Sequence, residues 1–448
     1  MTSDIPSRRP VPDGAGRLFL PADEPPHPEG PIESLDGVRL EALAAELGTP
    51  LHVYSARAIR QRVTRLRSAL WGLNALVCYA VKANGNLALL RLLADMGIGA
   101  DIVSVGELQR ALTSGVPAWR IVFSGVGKRE DEIDAALAAG IARFNVESAD
   151  ELETLQRIAR ERRTVARAAV RINPDVDART HERISTGRSE NKFGVPVDEA
   201  RAWFAEAARL SHVRLDGLHM HIGSQVLSLD PFAVALDRLG SFWRELVAAD
   251  HVITSIDVGG GLGVCYRPGH DRPVHPVEYV SEIRRALHGF TGRIILEPGR
   301  WLVADAGLLL TRVLRAKQGA SRRWLVIDAA MNDLPRPALY DAWHDIVPVT
   351  RAAGTMTTCD VVGPVCESTD VLARNRELPE CAPGDLLTIR DTGAYAASMA
   401  STYNSRPLAA EVLVDDGRYA VIRRRQTFED MIALETMTPE WHDSTPSS

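Results

Sequence analysis

The residue types that could carry chemistry in this chain stand directly after short apolar runs. Lys82 follows the first of these runs, at residues 75–80. An isolated lysine in such a place is commonly a surface side chain whose stem covers apolar atoms. An amine that is desolvated at the mouth of an apolar strand can instead act as a nucleophile and form a Schiff base with a carbonyl compound. Both interpretations of Lys82 are open from this residue alone.

Two histidines, His219 and His221, stand at the end of a later run, residues 215–220. Because they are two positions apart, they would share one face of a strand, a spacing that also suits a metal pair. We expect no metal here, because we see no further cluster of histidine, cysteine or carboxylate that completes a ligand set. An ordinary hydrogen-bonded core histidine is the alternative role for one of the two.

Two further runs lead into a glycine-rich stretch, 257–263, and into Glu297-Pro-Gly-Arg300. Glycine lets backbone amides approach an anion such as a phosphate, although the third glycine of a dinucleotide fingerprint is missing. Glu297 could pair with Arg300, or it could hold a proton on a heterocyclic nitrogen through a charge-assisted hydrogen bond. A lysine, a histidine, a phosphate loop and a carboxylate are together the parts of a pyridoxal phosphate site.

The last third of the chain adds a second group of reactive side chains. Cys366 is followed by Glu367, and Tyr395 follows a glycine and an alanine. A lone cysteine is more often a small buried apolar residue. Beside an acid and a tyrosine, Cys366 becomes a credible proton donor.

The elements that position these residues follow from the apolar runs. Eight short β-rich runs alternate with amphipathic stretches typical of helices, at residues 75–80, 100–104, 121–124, 142–146, 168–172, 215–220, 255–258 and 293–296. This pattern predicts an α/β fold, a (β/α)8 barrel of the TIM type, whose active sites lie at the C-terminal ends of the strands. Ser104 with Glu107 and Ser148 with Glu151 fit capping boxes at two helix starts. After about residue 306, short β-rich pieces separated by turns predict a C-terminal antiparallel β domain.

We therefore divide the chain into three parts. Residues 1–54 form an N-terminal arm, loose over its proline-rich part at 1–31, and a segment that joins the β domain. Residues 55–305 form the barrel, which would bind pyridoxal phosphate, and residues 306–448 form the β domain. The tail at 443–448 is expected to be disordered.

Composition excludes several classes of protein. The chain has 448 residues with 45% hydrophobic and 25% charged side chains, typical of a globular protein. The net charge of -6 argues against a nucleic-acid partner and favours small molecules. No apolar run approaches the ~18 residues of a membrane helix, and the N-terminus has no signal-peptide core, so we expect a cytoplasmic protein that does not bind membranes. The five cysteines form no CxxC pair, which argues against disulfides and a zinc knuckle.

From about residue 48 to 434 the chain resembles the fold-type III pyridoxal phosphate decarboxylases, and among them the diaminopimelate decarboxylases. The resembling segments span residues 79–84, 101–108, 120–128, 144–148, 192–194, 217–225, 257–263, 297–300, 331–340, 363–368 and 393–407. The resemblance implies an alanine racemase-like fold and decarboxylation of meso-2,6-diaminopimelate to L-lysine and CO₂, the last step of lysine biosynthesis. It also implies pyridoxal 5'-phosphate as cofactor and a homodimer with the active site at the interface.

The resemblance further implies a role for individual residues. Lys82 would carry the cofactor and Cys366 would protonate the carbanion, so these two are the expected catalytic residues. The remaining cofactor-binding residues would be His221, stacked on the ring, Glu297, which protects the pyridinium proton, and Ser224, Gly260, Gly261, Gly299, Arg300 and Tyr395. The substrate would contact Tyr395, its distal carboxylate Arg300, Arg336 and Tyr340, and its distal ammonium Glu367. Cys366 and Glu367 would reach the site of the partner subunit.

The departures from the family pattern keep alternatives open. Thr369 stands where glycine is usual, and Pro335 precedes Arg336 where an aliphatic residue is typical. Both are expected on the substrate side, so the substrate could instead be a polyamine precursor, a D-amino acid or a carrier-bound amino acid. A non-catalytic pseudo-decarboxylase is a further alternative, against which Lys82, Cys366 and the full β domain argue. A racemase of the same barrel type would need a second base in place of the Cys-Glu pair.

Overall fold

The computed structural model describes residues 30–177, 192–350 and 354–442 of the chain. The strands, numbered in chain order, are β1 Ser34–Leu35, β2 Val38–Arg39, β3 Leu51–Ser55, β4 Ala75–Ala80, β5 Gly99–Ile102, β6 Ile121–Phe123, β7 Arg143–Val146, β8 Ala166–Arg171, β9 Val213–His219, β10 Ser255–Asp257, β11 Arg293–Leu296, β12 Gly307–Gln318, β13 Arg323–Ile327, β14 Ile346–Pro348, β15 Met356–Val362, β16 Val371–Pro379, β17 Leu386–Ile389, β18 Ala410–Asp415 and β19 Arg418–Arg423.

The α-helices are α1 Leu40–Leu47, α2 Ala56–Ala69, α3 Leu87–Asp95, α4 Val105–Thr113, α5 Glu130–Ala139, α6 Ala149–Glu161, α7 Val197–Glu206, α8 Leu229–Ala248, α9 Pro276–Ala286, α10 Arg300–Val303, α11 Arg336–Tyr340 and α12 Phe428–Ile432. Nearly all of the loose arm expected at 1–31, and the whole tail expected at 443–448, lie outside the described residues. Within the described part of the chain, no helix is both long and apolar enough to cross a membrane.

Eight parallel strands close into a barrel in the order β10-β11-β4-β5-β6-β7-β8-β9. Each of the eight predicted apolar runs coincides with one of these strands, so the predicted barrel is confirmed. The strands are buried along most of their length because helices cover the outside and side chains fill the inside, which is why they read as continuous apolar runs. The strand ends that precede the helices all meet at one mouth of the barrel.

The helix starts at the two predicted capping boxes differ in one detail from the expectation. The Ser104 hydroxyl accepts a hydrogen bond from the Glu107 amide, and Ser148 does the same for the Glu151 amide. The Glu107 carboxylate, however, accepts from the amide of Val103, one residue before the cap, and the Glu151 carboxylate accepts from the amide of Glu147. The serine half of each box is therefore confirmed, while the glutamates bind one residue further back and tie the strand end to the helix.

The second sheet has nine strands and follows the order β16-β15-β13-β12-β3-β18-β19, with β17 pairing to β12 and β14. The prediction of an antiparallel domain was wrong in two places, because β13 pairs parallel with β15 and β3 pairs parallel with β18. Only a short hairpin forces neighbouring strands to run antiparallel. A connection of 28 residues links β13 to β15, and β3 precedes the whole barrel in the chain, so neither pair is so constrained.

Strand β3 ties the second sheet to the start of the barrel. It lies between β12 and β18, and α2 of the barrel begins at the next residue, Ala56. The Ser55 hydroxyl at this junction caps α2 by accepting from the Ala58 amide. The segment 393–395 of the second domain returns to the barrel mouth, where the Tyr395 amide bonds the Ala83 carbonyl. The mouth is therefore enclosed by both domains.

Candidate active site

A cavity of about 200 Å³ opens at the C-terminal ends of the barrel strands. Ten of the residues predicted for the site line it, namely Lys82, His221, Ser224, Gly261, Glu297, Gly299, Arg300, Arg336, Tyr340 and Tyr395. The wall is completed by Ala80, Leu262 and Met399. The structure thus brings together predicted residues of the barrel and of the β domain that lie up to 313 positions apart in the sequence.

Lys82 extends from a short 3₁₀ turn directly after β4 and points its amine into the cavity. Its Nζ lies 2.8 Å from Oδ2 of Asp101 on the neighbouring strand β5, and the side chain is 41% exposed. Burial lowers the pKa of Lys82, but the negative charges of Asp101 and Glu297 outweigh it and raise the pKa above its ordinary value. Activation by desolvation was one of two open interpretations of this lysine; in the structure the ion pair with Asp101 offsets the desolvation, and the role of Lys82 stays a prediction.

Glu297 directly follows β11 and is surrounded by donors at the floor of the cavity. Its Oε1 accepts from Ser124 Oγ at 3.3 Å and from Asn145 Nδ2 at 3.1 Å, and its Oε2 lies 3.3 Å from His219 Nε2. Burial raises the pKa of Glu297, but His219 and Lys82 outweigh it and hold the pKa well below the ordinary value. The carboxylate therefore stays ionised, as a partner for a protonated ring nitrogen must be.

A second carboxyl, Asp257 at the end of β10, lies beside Glu297. His219, Asp257 and Glu297 each offer one ligand atom within 4.8 Å of the others. The expectation that no carboxylates accompany the histidines was thus wrong, because neighbouring parallel strands bring them together across the barrel. Burial, and then the charge of Glu297, raise the pKa of Asp257 well above its ordinary value. A raised pKa of Asp257 lessens the repulsion between this carboxyl and the Glu297 carboxylate.

The glycine-rich stretch after β10 forms a close-fitting wall. A Cβ added at Gly260 would lie 2.2 Å from the Glu297 carbonyl oxygen, and one added at Gly261 would lie 2.5 Å from the Gly223 carbonyl oxygen. The Gly260 amide donates to Nδ1 of His221 at 3.1 Å, which leaves the proton of the neutral ring on Nε2. Burial, together with the positive charge of Arg171, lowers the pKa of His221 to about 3. His221 is therefore a flat, uncharged face of the cavity.

Two guanidinium groups close the cavity on the side of the β domain. Arg300 donates to Ser224 Oγ at 3.0 Å and to the Tyr266 hydroxyl at 2.8 Å, and it lies over the ring of Tyr395 at 4.6 Å. Arg336 begins α11 and donates to His344. Both side chains are buried, and no carboxylate in the described part of the chain pairs with either of them.

The donor set fits pyridoxal phosphate. An amine, an ionised buried carboxylate and a glycine wall that no side chain could occupy surround one cavity. The Oδ1 atom of Asp101 and the Oδ2 atom of Asp257 are buried without a hydrogen-bond partner among the described residues. Such unsatisfied polar atoms are uncommon in native interiors, and at this cavity a bound group would supply the missing partners.

Comparison with known proteins agrees with this geometry. Residues 56–304 match the family described as "Pyridoxal-dependent decarboxylase, pyridoxal binding domain". The chain is 47% identical to the diaminopimelate decarboxylase of Pseudomonas aeruginosa over 405 residues, which is 90% of this chain and 97% of the relative. The chain belongs to the diaminopimelate decarboxylase family.

Two solved structures of diaminopimelate decarboxylases share its fold. The enzyme from Helicobacter pylori, complexed with L-lysine, matches at a TM-score of 0.85 and 44% identity over 88% of this chain and 98% of that one. The enzyme from M. jannaschii, also in complex with L-lysine, matches at 0.86 and 39% identity over 91% of this chain and 96% of that one. The relatives span both the barrel and the β domain, so the likeness covers the whole candidate site.

Within this family fold, Cys366 and Glu367 stand apart from the cavity of their own chain. They lie with Ser368 and Thr369 on an exposed turn between β15 and β16. The Cys366 amide donates to Oδ1 of Asn404, and the Thr369 hydroxyl donates to the Glu367 carboxylate. Thr369, which departs from the family pattern, thus contacts a predicted substrate-binding residue. Pro335, the other departure, caps α11 with φ -76°, an ordinary value for proline.

Several side chains of the site were missed from the sequence. Asp101, Asn145 and Asp257 are polar residues inside mostly apolar parallel strands, and that contrast is a signal that could have identified them. Tyr266 and His344 carry no comparable signal, because both lie in irregular segments whose approach to the arginines depends on the tertiary fold.

Proposed function

We propose that this chain decarboxylates meso-2,6-diaminopimelate to L-lysine and CO₂ with pyridoxal 5'-phosphate as cofactor. The observation that carries the proposal is the pair of buried guanidiniums, Arg300 and Arg336, in the same cavity as the Lys82 amine. A buried cation without a counter-ion is costly, so this pair is built for an anionic group that arrives with the substrate. Diaminopimelate carries a carboxylate at each end, one to be lost and one to be held.

The residues at the barrel mouth would hold the cofactor. Lys82 would anchor it through its amine, the backbone amides near Gly260 and Gly261 with Ser224 would hold its phosphate, and His221 would pack against its ring. Glu297 would hold a proton at the ring nitrogen, because its carboxylate stays ionised. When bound, pyridoxal phosphate supplies an electron sink for the bond that breaks.

The distal end of the substrate would determine specificity. Arg300 and Arg336 would bind the distal carboxylate, with Tyr340 and Tyr395 at the same wall. A guanidinium can bind a carboxylate with two parallel hydrogen bonds, which fixes its orientation. When L-lysine or ornithine places its one carboxylate at the reacting end, no carboxylate remains for the two guanidiniums, so both compounds should be poor substrates.

A second copy of the chain would complete the site. Cys366 and Glu367 are exposed and do not line the cavity of their own chain, so they are free to enter the cavity of a partner. There, Glu367 would bind the distal ammonium of the substrate. When CO₂ leaves, the electron pair of the broken C–C bond stays on the substrate carbon, and the Cys366 thiol would give that carbon its proton.

The proposal is tested by stereochemically resolved decarboxylation. The holoenzyme is given the meso, LL and DD isomers of diaminopimelate, then lysine, ornithine and arginine, and CO₂ and amine products are measured. We expect L-lysine from the meso isomer and little turnover of the compounds without a distal carboxylate. Faster CO₂ release from another amino acid would overturn the assignment of substrate. No CO₂ from any of them, with cofactor bound, would favour a non-catalytic protein.

A further inference from the structure

Arg300 and Arg336 lie against a common aromatic side chain, Tyr266, which the sequence did not single out. The Cζ atom of Arg336 lies 4.4 Å from the centre of the Tyr266 ring, and that of Arg300 lies 5.7 Å from it. Arg300 also donates a 2.8 Å hydrogen bond to the Tyr266 hydroxyl. Tyr266 is 4% exposed, so these contacts are formed away from bulk water.

A buried histidine fixes the other arginine. His344, fully buried, lies 2.7 Å from Nη1 of Arg336 through its Nε2 atom and 2.8 Å from the Arg390 carbonyl through its Nδ1 atom. Arginine can only donate, so Nε2 accepts, and a carbonyl can only accept, so Nδ1 carries the proton. Burial and the charge of Arg336 hold the pKa of His344 well below its ordinary value, in agreement with a neutral ring. Both ring nitrogens of His344 therefore have a hydrogen-bond partner.

Tyr266 and His344 also contact each other. The rings of Tyr266 and His344 meet edge to face, with centroids 5.2 Å apart. Tyr266 lies between β10 and α9 of the barrel, and His344 lies between α11 and β14 of the β domain. The pair therefore holds the guanidiniums of both domains in one arrangement. Two cations repel each other without an anion between them, so their spacing has to be set by neighbours of this kind.

We propose that Tyr266 and His344 are positioning residues that preset Arg300 and Arg336 for a carboxylate, and thereby determine selectivity for a substrate with a distal carboxylate. This inference rests on the proposed function. Neither residue lines the cavity, so both act through the arginines. A preset pair loses less conformational entropy when the carboxylate binds, which favours diaminopimelate over amines that lack it.

The test compares four single variants of the holoenzyme, three at histidines and one at Tyr266. His344→Phe keeps a ring of similar size beside Tyr266 but removes the acceptor for Arg336. His344→Gln restores an acceptor on a flexible chain. His52→Phe is the matched control, since His52 is also fully buried and neither of its ring nitrogens has a hydrogen-bond partner among the described residues.

We expect His344→Phe to raise KM for meso-diaminopimelate about tenfold or more, the usual cost of removing a hydrogen bond to a charged group, with kcat changed much less. The inhibition constant of 1,5-diaminopentane, which has no carboxylate, should stay near the wild-type value, whereas that of L-lysine, which keeps the distal carboxylate as the product, should rise with KM. His344→Gln should recover part of the loss in KM, and His52→Phe should leave both constants unchanged. Tyr266→Phe, which removes only the hydroxyl, should shift KM in the same direction by a smaller factor.

The outcomes separate this inference from the proposed function. A wild-type enzyme that does not turn over diaminopimelate would overturn the function. A wild-type enzyme that does, together with a His344→Phe variant that loses kcat alone, or that loses affinity for diaminopimelate and 1,5-diaminopentane equally, would overturn the positioning role. A His344→Phe variant with the constants of His52→Phe would do the same.

Discussion

Glycine at position 261 should be indispensable for both stability and cofactor binding. Gly261 has φ +106° and Gly289 has φ +86°, so alanine is strained at either position. The strain of a positive φ costs about 1–2 kcal/mol. Gly289 has no atom within 4 Å of the added Cβ in the described structure, whereas at Gly261 that Cβ would lie 2.5 Å from the Gly223 carbonyl oxygen. A contact that short forces the backbone to move, which adds about 1–3 kcal/mol.

Gly289→Ala is therefore expected to lower the free energy of unfolding by about 1–2 kcal/mol, and Gly261→Ala by about 2–5 kcal/mol in total. Equilibrium urea unfolding, with and without pyridoxal phosphate, measures both effects. The cofactor should stabilise the wild type and Gly289→Ala, because a ligand that binds only the folded state raises its stability. Gly261→Ala should gain little from it. Equal losses of stability in the two variants, with equal stabilisation by the cofactor, would contradict the tight contact inferred at Gly261.

Three further predictions concern charges and the subunit interface. Asp101→Asn removes a charge that raises the pKa of Lys82, so half-maximal modification of the Lys82 amine in the apoprotein should shift to lower pH; an unchanged titration would contradict the ion pair. Because the folded-state pKa of Asp257 is raised, its contribution to stability is complete below its unfolded value of about 4 and is lost as pH rises. The Asp257→Asn variant should thus become more stable relative to the wild type as pH rises from 5 to 8, measured by urea unfolding. The difference in the free energy of unfolding should grow by roughly 1.4 kcal/mol for each pH unit over which the folded protein keeps the Asp257 proton. A pH-independent difference would refute the raised pKa of Asp257. The variants Lys82→Ala and Cys366→Ala should each be inactive alone. Their equimolar mixture should regain about a quarter of wild-type activity, because half of the randomly paired dimers contain both variants and each such dimer has one intact site of two. No recovery after confirmed subunit exchange would exclude a shared site.

The barrel could be predicted from the sequence because its signal is local. Each parallel strand is buried on both faces and therefore appears as an uninterrupted apolar run, and eight such runs in alternation with helices leave few other folds. The direction of pairing in the second sheet has no such signal. Strand β3 pairs with β18 from the opposite end of the chain, and only the assembled fold decides that they run parallel.

The candidate site was likewise predictable only where its signal in the sequence is local. Lys82, His221 and Glu297 were found because each follows an apolar run and so falls at the barrel mouth. The protonation of these groups was not accessible from the sequence, because it depends on which charges meet across the barrel. The Lys82 amine forms an ion pair with Asp101, and His219 with Lys82 keeps Glu297 ionised.

The charges of the cavity are divided between its two sides, and that division bears on which end of the substrate reacts. Acidic side chains, Asp101 and Glu297, surround Lys82 on the barrel side. The guanidiniums of Arg300 and Arg336 lie on the side of the β domain without a carboxylate partner among the described residues. A molecule with a carboxylate at each end would be repelled by the acids and attracted by the arginines at the end that is kept. The carboxylate to be lost would then face the acidic side of the cavity, so the same arrangement that selects the substrate also orients it.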